Sequence, residues 1–261
     1  MSSQNETAKI LKALHRPGHP LVLANVWDAI TAEAVASLPE TQALATASAV
    51  IAAAAGLADE DLSLDVNLRA IGAIAKVAKQ HGKPLTVDFQ DGFGDQLEDG
   101  VRQAIRMGAV GINLEDFARE KNGLYTISEA QDRIRRVLQV AQTEHVPDFV
   151  INARTDSLFA GSGIDEAIER GQAYLQAGAG NVFIWGGPSR KGWNRAEVEK
   201  ATKALNGQLN VILIRTNSDG LTLNQLREIG VARISVGPQL MRRTIGAVSE
   251  EAKKILGGED V

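Results

Sequence analysis

The chain is predicted to fold as a (β/α)8 TIM barrel of the α/β class, and three observations predict it. Short apolar runs rich in β-formers recur eight times, at residues 21–25, 43–47, 85–88, 111–114, 149–153, 181–184, 211–214 and 233–236. Segments of helical period separate them, as over 65–80, where Val66, Ile71, Ile74, Ala75 and Ala78 recur at spacings compatible with one apolar face. Gly or Pro sits just before several runs, in Gly82-Lys-Pro84, Gly108-Ala-Val-Gly111, Gly178-Ala-Gly180 and Gly230-Val-Ala, and stops the preceding helix. Alternating strand and helix implies parallel pairing through right-handed crossovers, and eight such units close a barrel. A doubly wound open sheet is the competing architecture.

Taken in order, the first run leads into Asn25-Val-Trp-Asp-Ala29 and the second into Ala45-Thr-Ala-Ser48. The third, within Pro84-Leu-Thr-Val-Asp-Phe-Gln-Asp-Gly-Phe-Gly94, and the fourth, Gly111-Ile-Asn-Leu-Glu-Asp116, both end abruptly in acidic groups and then a loop. The insertion after the fourth run, 117–128, is the least regular part of the chain; it is rich in charge and contains Gly123 and Tyr125. In a barrel it would overhang the active face as a lid. The fifth run closes on Asn152-Ala-Arg-Thr-Asp156 and the eighth on Ser235-Val-Gly-Pro238. The last helix, from about 239 to 256, is amphipathic and suits either its own barrel or a neighbouring subunit. No Pro/Ser-rich linker, low-complexity tract or repeat divides residues 1–261, so one barrel domain is expected.

Composition narrows the function. With 261 residues, 44% of them hydrophobic, the chain is long enough for one large core. A formal charge of -4, with Lys and Arg scattered rather than striped, gives no reason to expect nucleic acid. No cysteine is present, which removes thiolate metal sites and thiol nucleophiles. The N-terminus lacks the pattern of a secretory signal, and no apolar run approaches the roughly 18 residues of a membrane span, so a cytoplasmic protein is expected.

The carboxyl ends of barrel strands are where chemistry sits. Asp88 and Glu115 end two consecutive runs and would hold one divalent cation between them, since carboxylate and amide oxygens suit Mg2+ or Mn2+. Gln90, two residues from Asp88, would point to the same side, and Asp91 to the other unless the strand has already turned. The competing role for such acids is capping the next helix, as Asp91 or Asp95 would do. Arg154 presents a fork of donors suited to a substrate carboxylate, or else a salt bridge to Asp156 or Glu115. His15, His19, His81 and His145 avoid every predicted strand end, which makes a histidine base improbable. No run contains the lysine a Schiff-base aldolase needs. Pro238 lacks one of the backbone donors that a phosphate site after the eighth run would use. Trp27, Trp185 and Trp193 are expected as core or rim packing.

These residues, in order, resemble the isocitrate lyase and phosphoenolpyruvate mutase superfamily over about residues 21 to 247. The resemblance is carried by Asn25-Val-Trp-Asp-Ala29, Ala45-Thr-Ala-Ser48 with Ala55-Gly-Leu-Ala-Asp59, Val87-Asp-Phe-Gln-Asp-Gly-Phe-Gly94, Asn113-Leu-Glu-Asp116 and Asn152-Ala-Arg154. It implies a barrel whose last helix is often swapped between subunits, in a dimer or tetramer. It also implies Mg2+ held through Asp88 and Glu115, with Asp59 and position 90 in the ion's shell, partly through water. The backbone around Thr46, Ala47 and Ser48, with Arg154, would bind a substrate carboxylate, and Trp27, in the opening segment 25–29, is a further candidate substrate-binding residue.

Two departures stand out. Gln90 replaces a carboxylate of the family pattern, and the lid reads Arg119-Glu-Lys-Asn-Gly-Leu-Tyr125 where lyases of isocitrate or methylisocitrate carry a cysteine. The resemblance therefore implies a Mg2+-dependent lyase or hydrolase cleaving a carbon–carbon bond in a small 2-oxo or 2-hydroxy carboxylate, with Lys121 or Tyr125 on the lid assisting proton transfer. The alternatives are a phosphonate mutase or hydrolase and a catalytically silent carboxylate-binding barrel.

Overall fold

All eight apolar runs become parallel strands of one sheet in the computed structural model, which describes residues 3–187, 194–214 and 220–257. The strands are β1 (Leu21–Leu23), β2 (Asn25–Val26), β3 (Leu44–Thr46), β4 (Leu85–Asp88), β5 (Gly111–Glu115), β8 (Val150–Thr155), β9 (Asn181–Ile184), β10 (Leu209–Ile212) and β11 (Arg233–Ser235). A short antiparallel ribbon, β6 (Phe117–Ala118) with β7 (Gly123–Leu124), lies within the 117–128 insertion. The barrel closes through its first run. Leu21 to Leu23 pair with Arg233 to Ser235, whereas Asn25 and Val26 pair with Ala45 and Thr46, so β1 and β2 are two halves of one stave bent at Ala24.

The helices are α1 (Ser3–Leu14), α2 (Ala29–Ala36), α3 (Ser48–Ala54), α4 (Leu64–Gln80), α5 (Leu97–Met107), α6 (Ile127–Thr143), α7 (Ile164–Gln176), α8 (Arg195–Ala204), α9 (Leu223–Ile229) and α10 (Gln239–Leu256). Their ends follow local chemistry. Ser63 caps α4 by accepting from Val66 N, and Thr126 with Glu129 forms a capping box on α6. Gly108 and Gly230 end α5 and α9 in the left-handed region, which a glycine enters without a Cβ penalty. Along α4 the predicted Ile71, Ile74, Ala75 and Ala78 are buried in one stripe, which Leu68 extends, while the predicted Val66 is only half-buried.

The apolar core lies between the strands and the helical ring, but the inside of the barrel is polar. Asn152 donates to Asn113 (2.8 Å), Asn181 donates to Asn152 (2.9 Å), and the fully buried Arg233 donates to Asn113 (3.0 Å). Such amide ladders satisfy side chains that water does not reach. By contrast, α10 buries no residue and leaves Ile245, Val248, Ile255 and Leu256 exposed. Among the described residues, no helix is long and apolar enough to cross a membrane.

Candidate active site at the carboxyl ends of the strands

Asp88 is the last residue of β4 and is fixed from three sides. Its N–H donates to Thr46 Oγ1 (2.8 Å), its carbonyl accepts from Asn67 Nδ2 (3.0 Å), and its Oδ2 accepts from Ser48 N (2.9 Å). The other carboxylate oxygen, Oδ1, is buried with no hydrogen-bond partner among the described residues. Thr46 and Ser48, expected beside a substrate, thus spend a hydroxyl and a backbone N–H on Asp88. Ala47 and Trp27 are buried in an apolar cluster with Val50, Ile51 and Leu62.

The chain turns immediately after β4. Gln90, Gly92, Phe93 and Gly94 all have φ between 48° and 84°, so the two-residue strand period ends before Gln90. The turn brings the Gln90 amide onto the 59–61 segment, where Nε2 donates to Asp59 Oδ1 (2.8 Å) and to the Asp59 carbonyl (3.0 Å). Gln90 Oε1, also buried, has no hydrogen-bond partner among the described residues. Asp91 faces the other way, accepting from Phe93 N (3.0 Å) and Arg119 N (3.4 Å). It stabilises the turn itself rather than the start of a helix.

Glu115 ends β5 and pairs with Arg154 of the neighbouring β8 at 2.8 Å. Arg154 also holds Asp156 through two bonds, from Nε (2.5 Å) and Nη2 (2.9 Å), and its Cζ lies 4.1 Å from the Trp185 ring centroid. Both salt bridges that the sequence allowed for Arg154 are therefore present together. Two of its five N–H groups remain. Burial pushes the Glu115 carboxyl well above the usual carboxylate range, with Arg154 opposing and Asp156, Asp88 and Asp59 adding to the rise. Asp59 is also raised, first by burial and then by Asp88. Burial drives Asp156 in the same direction, partly offset by Arg154.

The 117–128 insertion reaches the 59–61 segment through Arg119. Arg119 donates to the Glu60 carbonyl (3.2 Å) and lies 4.0 Å from Asp59. Lys121 and Tyr125 engage α6 instead: Lys121 pairs with Glu129 at 2.8 Å, and the Tyr125 ring lies under the Arg133 guanidinium at 4.6 Å. Beneath the hairpin is a network that sequence reasoning missed. Asp116 accepts from Tyr174 Oη (2.6 Å), Arg170 Nη1 (3.3 Å) and Asp156 N (2.8 Å), while Arg170 also donates to the Tyr125 carbonyl (2.9 Å). Arg170 and Tyr174 stand four apart on α7, and only that spacing hinted that they share a face.

At the eighth strand, Val236 N and Gly237 N both donate to Asn25 Oδ1, at 3.0 and 2.8 Å. The donors a phosphate would use there are already taken. Trp185 lies at the rim, as expected, and Trp193 lies outside the described residues.

Among the described residues, no three His, Asp or Glu side chains converge tightly enough to hold an ion by themselves. The fit to a hard cation rests on oxygens: Asp88 Oδ1 and Gln90 Oε1 are buried acceptors without donors, beside the carboxylates of Asp59 and Glu115. Buried acceptors of this kind suit a cation such as Mg2+ with water completing its shell.

A closed parallel barrel with buried carboxylates and a guanidinium at its strand ends defines an α/β-barrel enzyme scaffold. The chain belongs to the phosphoenolpyruvate phosphomutase family, whose model matches residues 11–256, within the phosphoenolpyruvate mutase/isocitrate lyase superfamily of lyases, mutases and hydrolases. It is 29% identical over 205 residues to phosphonopyruvate hydrolase of Variovorax sp. (strain Pal2), covering 74% of this chain and 68% of that one. It is 40% identical over 145 residues to 2-methylisocitrate lyase of Escherichia coli K12, covering 51% of this chain and 47% of that enzyme. Among solved structures, a Burkholderia cenocepacia J2315 protein provisionally assigned as a phosphonomutase superimposes with a TM-score of 0.84 at 33% identity, over 97% of this chain and 99% of that one. Phosphonopyruvate hydrolase in complex with oxalate and Mg2+ superimposes with a TM-score of 0.81 at 26% identity, over 99% and 89%.

Proposed function

We propose that this protein is a Mg2+-dependent lyase that cleaves a carbon–carbon bond in a small 2-oxo or 2-hydroxy carboxylate. The observation that carries the reading is the pair of buried acceptors without donors, Asp88 Oδ1 and Gln90 Oε1, next to Asp59 and Glu115. Asp88 and Glu115 would hold the ion, with Asp59 and Gln90 in its shell. Relatives named for 2-methylisocitrate, 2,3-dimethylmalate and oxaloacetate, and the solved relative with oxalate and Mg2+, support the same class of ligand.

When bound, the ion supplies electrostatic stabilisation of the oxygen on which charge accumulates as the bond breaks, an interaction stronger in the transition state than in the ground state. The two remaining Arg154 N–H groups bind the substrate carboxylate, and Asp156 and Glu115 hold the guanidinium plane for them. Arg119 draws the hairpin across the mouth and excludes water. Lys121 and Tyr125, expected from the sequence to assist proton transfer, are assigned here to seating the hairpin on α6. The unpartnered apolar side of α10 is assigned to a second copy of the chain, which makes the protein a homo-oligomer.

The test has two arms. Calorimetry with Mg2+ on the wild type and on Asp88→Asn should show binding that the substitution removes. A turnover screen of oxaloacetate, malate derivatives and branched homologues with Mg2+ should yield a cleaved product. Folded protein that neither binds Mg2+ nor turns over any of these acids would refute the reading. Conversion of phosphonopyruvate, followed by phosphorus NMR, would replace it with phosphonate chemistry.

A further inference from the structure

The turn that follows β4 is held in place from outside. Gln90, Gly92, Phe93 and Gly94 all lie in the left-handed region, and two of them, Gln90 and Phe93, carry a side chain. Such a backbone persists where its surroundings over-determine it, and its buried carbonyls need partners from elsewhere. Arg133 on α6 supplies them. Its Nη2 donates to the Asp91 carbonyl and to the Gly94 carbonyl (3.3 Å), and so bridges the turn. The guanidinium lies close against Gly92, where a Cβ would stand 3.1 Å from Nη2. Arg133 is buried, so these bonds are made away from water.

The same turn and the same guanidinium also receive the β6–β7 hairpin. The Asp91 carboxylate accepts from Arg119 N (3.4 Å), and the Tyr125 ring centroid lies 4.6 Å from Arg133 Cζ, a cation–π contact. Glu120 stands against Gly94, where a Cβ would lie 2.8 Å from Glu120 Oε1. Arg133 also lines, with Glu115 and Arg154, a void of about 10 Å3. One side chain therefore touches the turn, the hairpin and the edge of the site. Asp88 and Gln90, which carry the two buried oxygens assigned to the ion, lead directly into that turn.

We infer that Arg133 is a positioning residue for the ion: it fixes the 90–94 turn and the hairpin as one unit, so that loading of Mg2+ at Asp88 and Gln90 and seating of the hairpin favour one another. This coupling rests on the Mg2+ reading proposed above. It is reciprocal, since whatever the seated hairpin adds to ion affinity the bound ion adds to hairpin seating. Methionine at position 133 keeps an unbranched apolar stem and removes every donor, which breaks the link without emptying the space.

Calorimetry and amide hydrogen exchange on the full chain, with Mg2+ alone as the probe, test it. Arg133→Met, shown to be folded by its melting curve, should bind Mg2+ about tenfold more weakly than the wild type, the loss typical when a partner that orients a metal-holding group is removed. Arg135→Met, at an exposed position on the same helix, should bind as the wild type does. In the wild type, Mg2+ should slow exchange over 90–94 and 117–125 together; in Arg133→Met at saturating Mg2+ the protection should stay on the turn and leave the hairpin. Should Arg133→Met not fold, Tyr125→Leu breaks the same link from the hairpin side and should weaken Mg2+ about threefold with the same loss of shared protection. A folded variant that melts lower but keeps both its Mg2+ affinity and the hairpin protection overturns this inference alone, as does a wild type in which Mg2+ protects the turn without the hairpin. Folded wild type that binds no Mg2+ overturns the proposed function and this inference together.

Discussion

The Gln90 side-chain amide donates to both the Asp59 carboxylate and the Asp59 carbonyl, at 2.8 and 3.0 Å. A carboxylate at position 90 has no proton to give at neutral pH, so this cross-link depends on the amide. It ties the 59–61 turn to the end of β4 and leaves Gln90 Oε1 as a neutral buried oxygen with no donor among the described residues.

Gln90→Glu should therefore separate stability from metal affinity. The variant loses two hydrogen bonds and places like charges together, at a cost of about 1–3 kcal/mol in urea unfolding without metal. With Mg2+ the added charge should tighten binding about tenfold and narrow the stability gap. Calorimetry showing no gain in Mg2+ affinity would remove Gln90 from the ion's surroundings.

Tyr174→Phe deletes the 2.6 Å hydrogen bond to Asp116 but leaves Arg170 and Asp156 N on that carboxylate. Because Asp156 grips Arg154, Tyr174 acts on the site as a positioning residue. A loss of about 1 kcal/mol in stability is expected. KM for the carboxylate substrate should rise while kcat changes little; an equal fall in kcat with KM unmoved would place the effect elsewhere.

His15 should make the fold sensitive to mild acid. Its Nδ1–H donates to the Leu11 carbonyl at 2.8 Å, and its Nε2 lies 3.5 Å from Arg233 Nη1. Burial first, and Arg233 second, hold its pKa down at about 3 from the ordinary 6.5. Below about pH 6.5 the unfolded chain binds a proton that the folded chain refuses, so stability falls as the pH drops from 6.5 towards 3. The loss between pH 8 and pH 5 is about 2 kcal/mol. Urea unfolding at the two pH values should show this difference in the wild type and a smaller one in His15→Gln. Equal differences in the two proteins would contradict the assignment.

Gly111→Ala should destabilise the barrel floor. A Cβ at this first residue of β5 would lie 2.7 Å from the Val150 carbonyl and 2.9 Å from Leu11 Cδ2. The carbonyl belongs to the neighbouring paired strand and cannot withdraw without breaking the register. A cost of about 1–3 kcal/mol is expected, and calorimetric melting should register it as a drop of several degrees. An unchanged melting temperature would show that α1 and β8 yield freely.

Much of this architecture was legible along the chain. The eight apolar runs, the stripe on α4 and the glycine stops before β5 and β11 all depend on residues within a few positions of one another, and all three appear in the fold. The acidic ends of β4 and β5 were legible for the same reason. Alternation along a strand did not extend to Gln90, because the backbone enters the left-handed region there and aims the amide at Asp59. The insertion read as an irregular lid is a short ribbon, and its Lys121 and Tyr125 engage α6.

The sequence by itself determined the order of strands and helices, the placement of Asp88, Glu115 and Arg154 at strand ends, and the absence of thiol chemistry. Periodicity, capping and composition are local properties, and each is written in consecutive residues. Only the tertiary structure decided the partners. It bound Arg154 to Asp156 and Glu115 at once, joined Tyr174 to Asp116 across 58 positions, and set Arg233 against Asn113 across 120. It also stacked Phe117, Phe159 and Trp185 from three separate elements. Barrel closure brings these residues together, and no local pattern along the chain records which distant side chain will fill a given donor, acceptor or ring face.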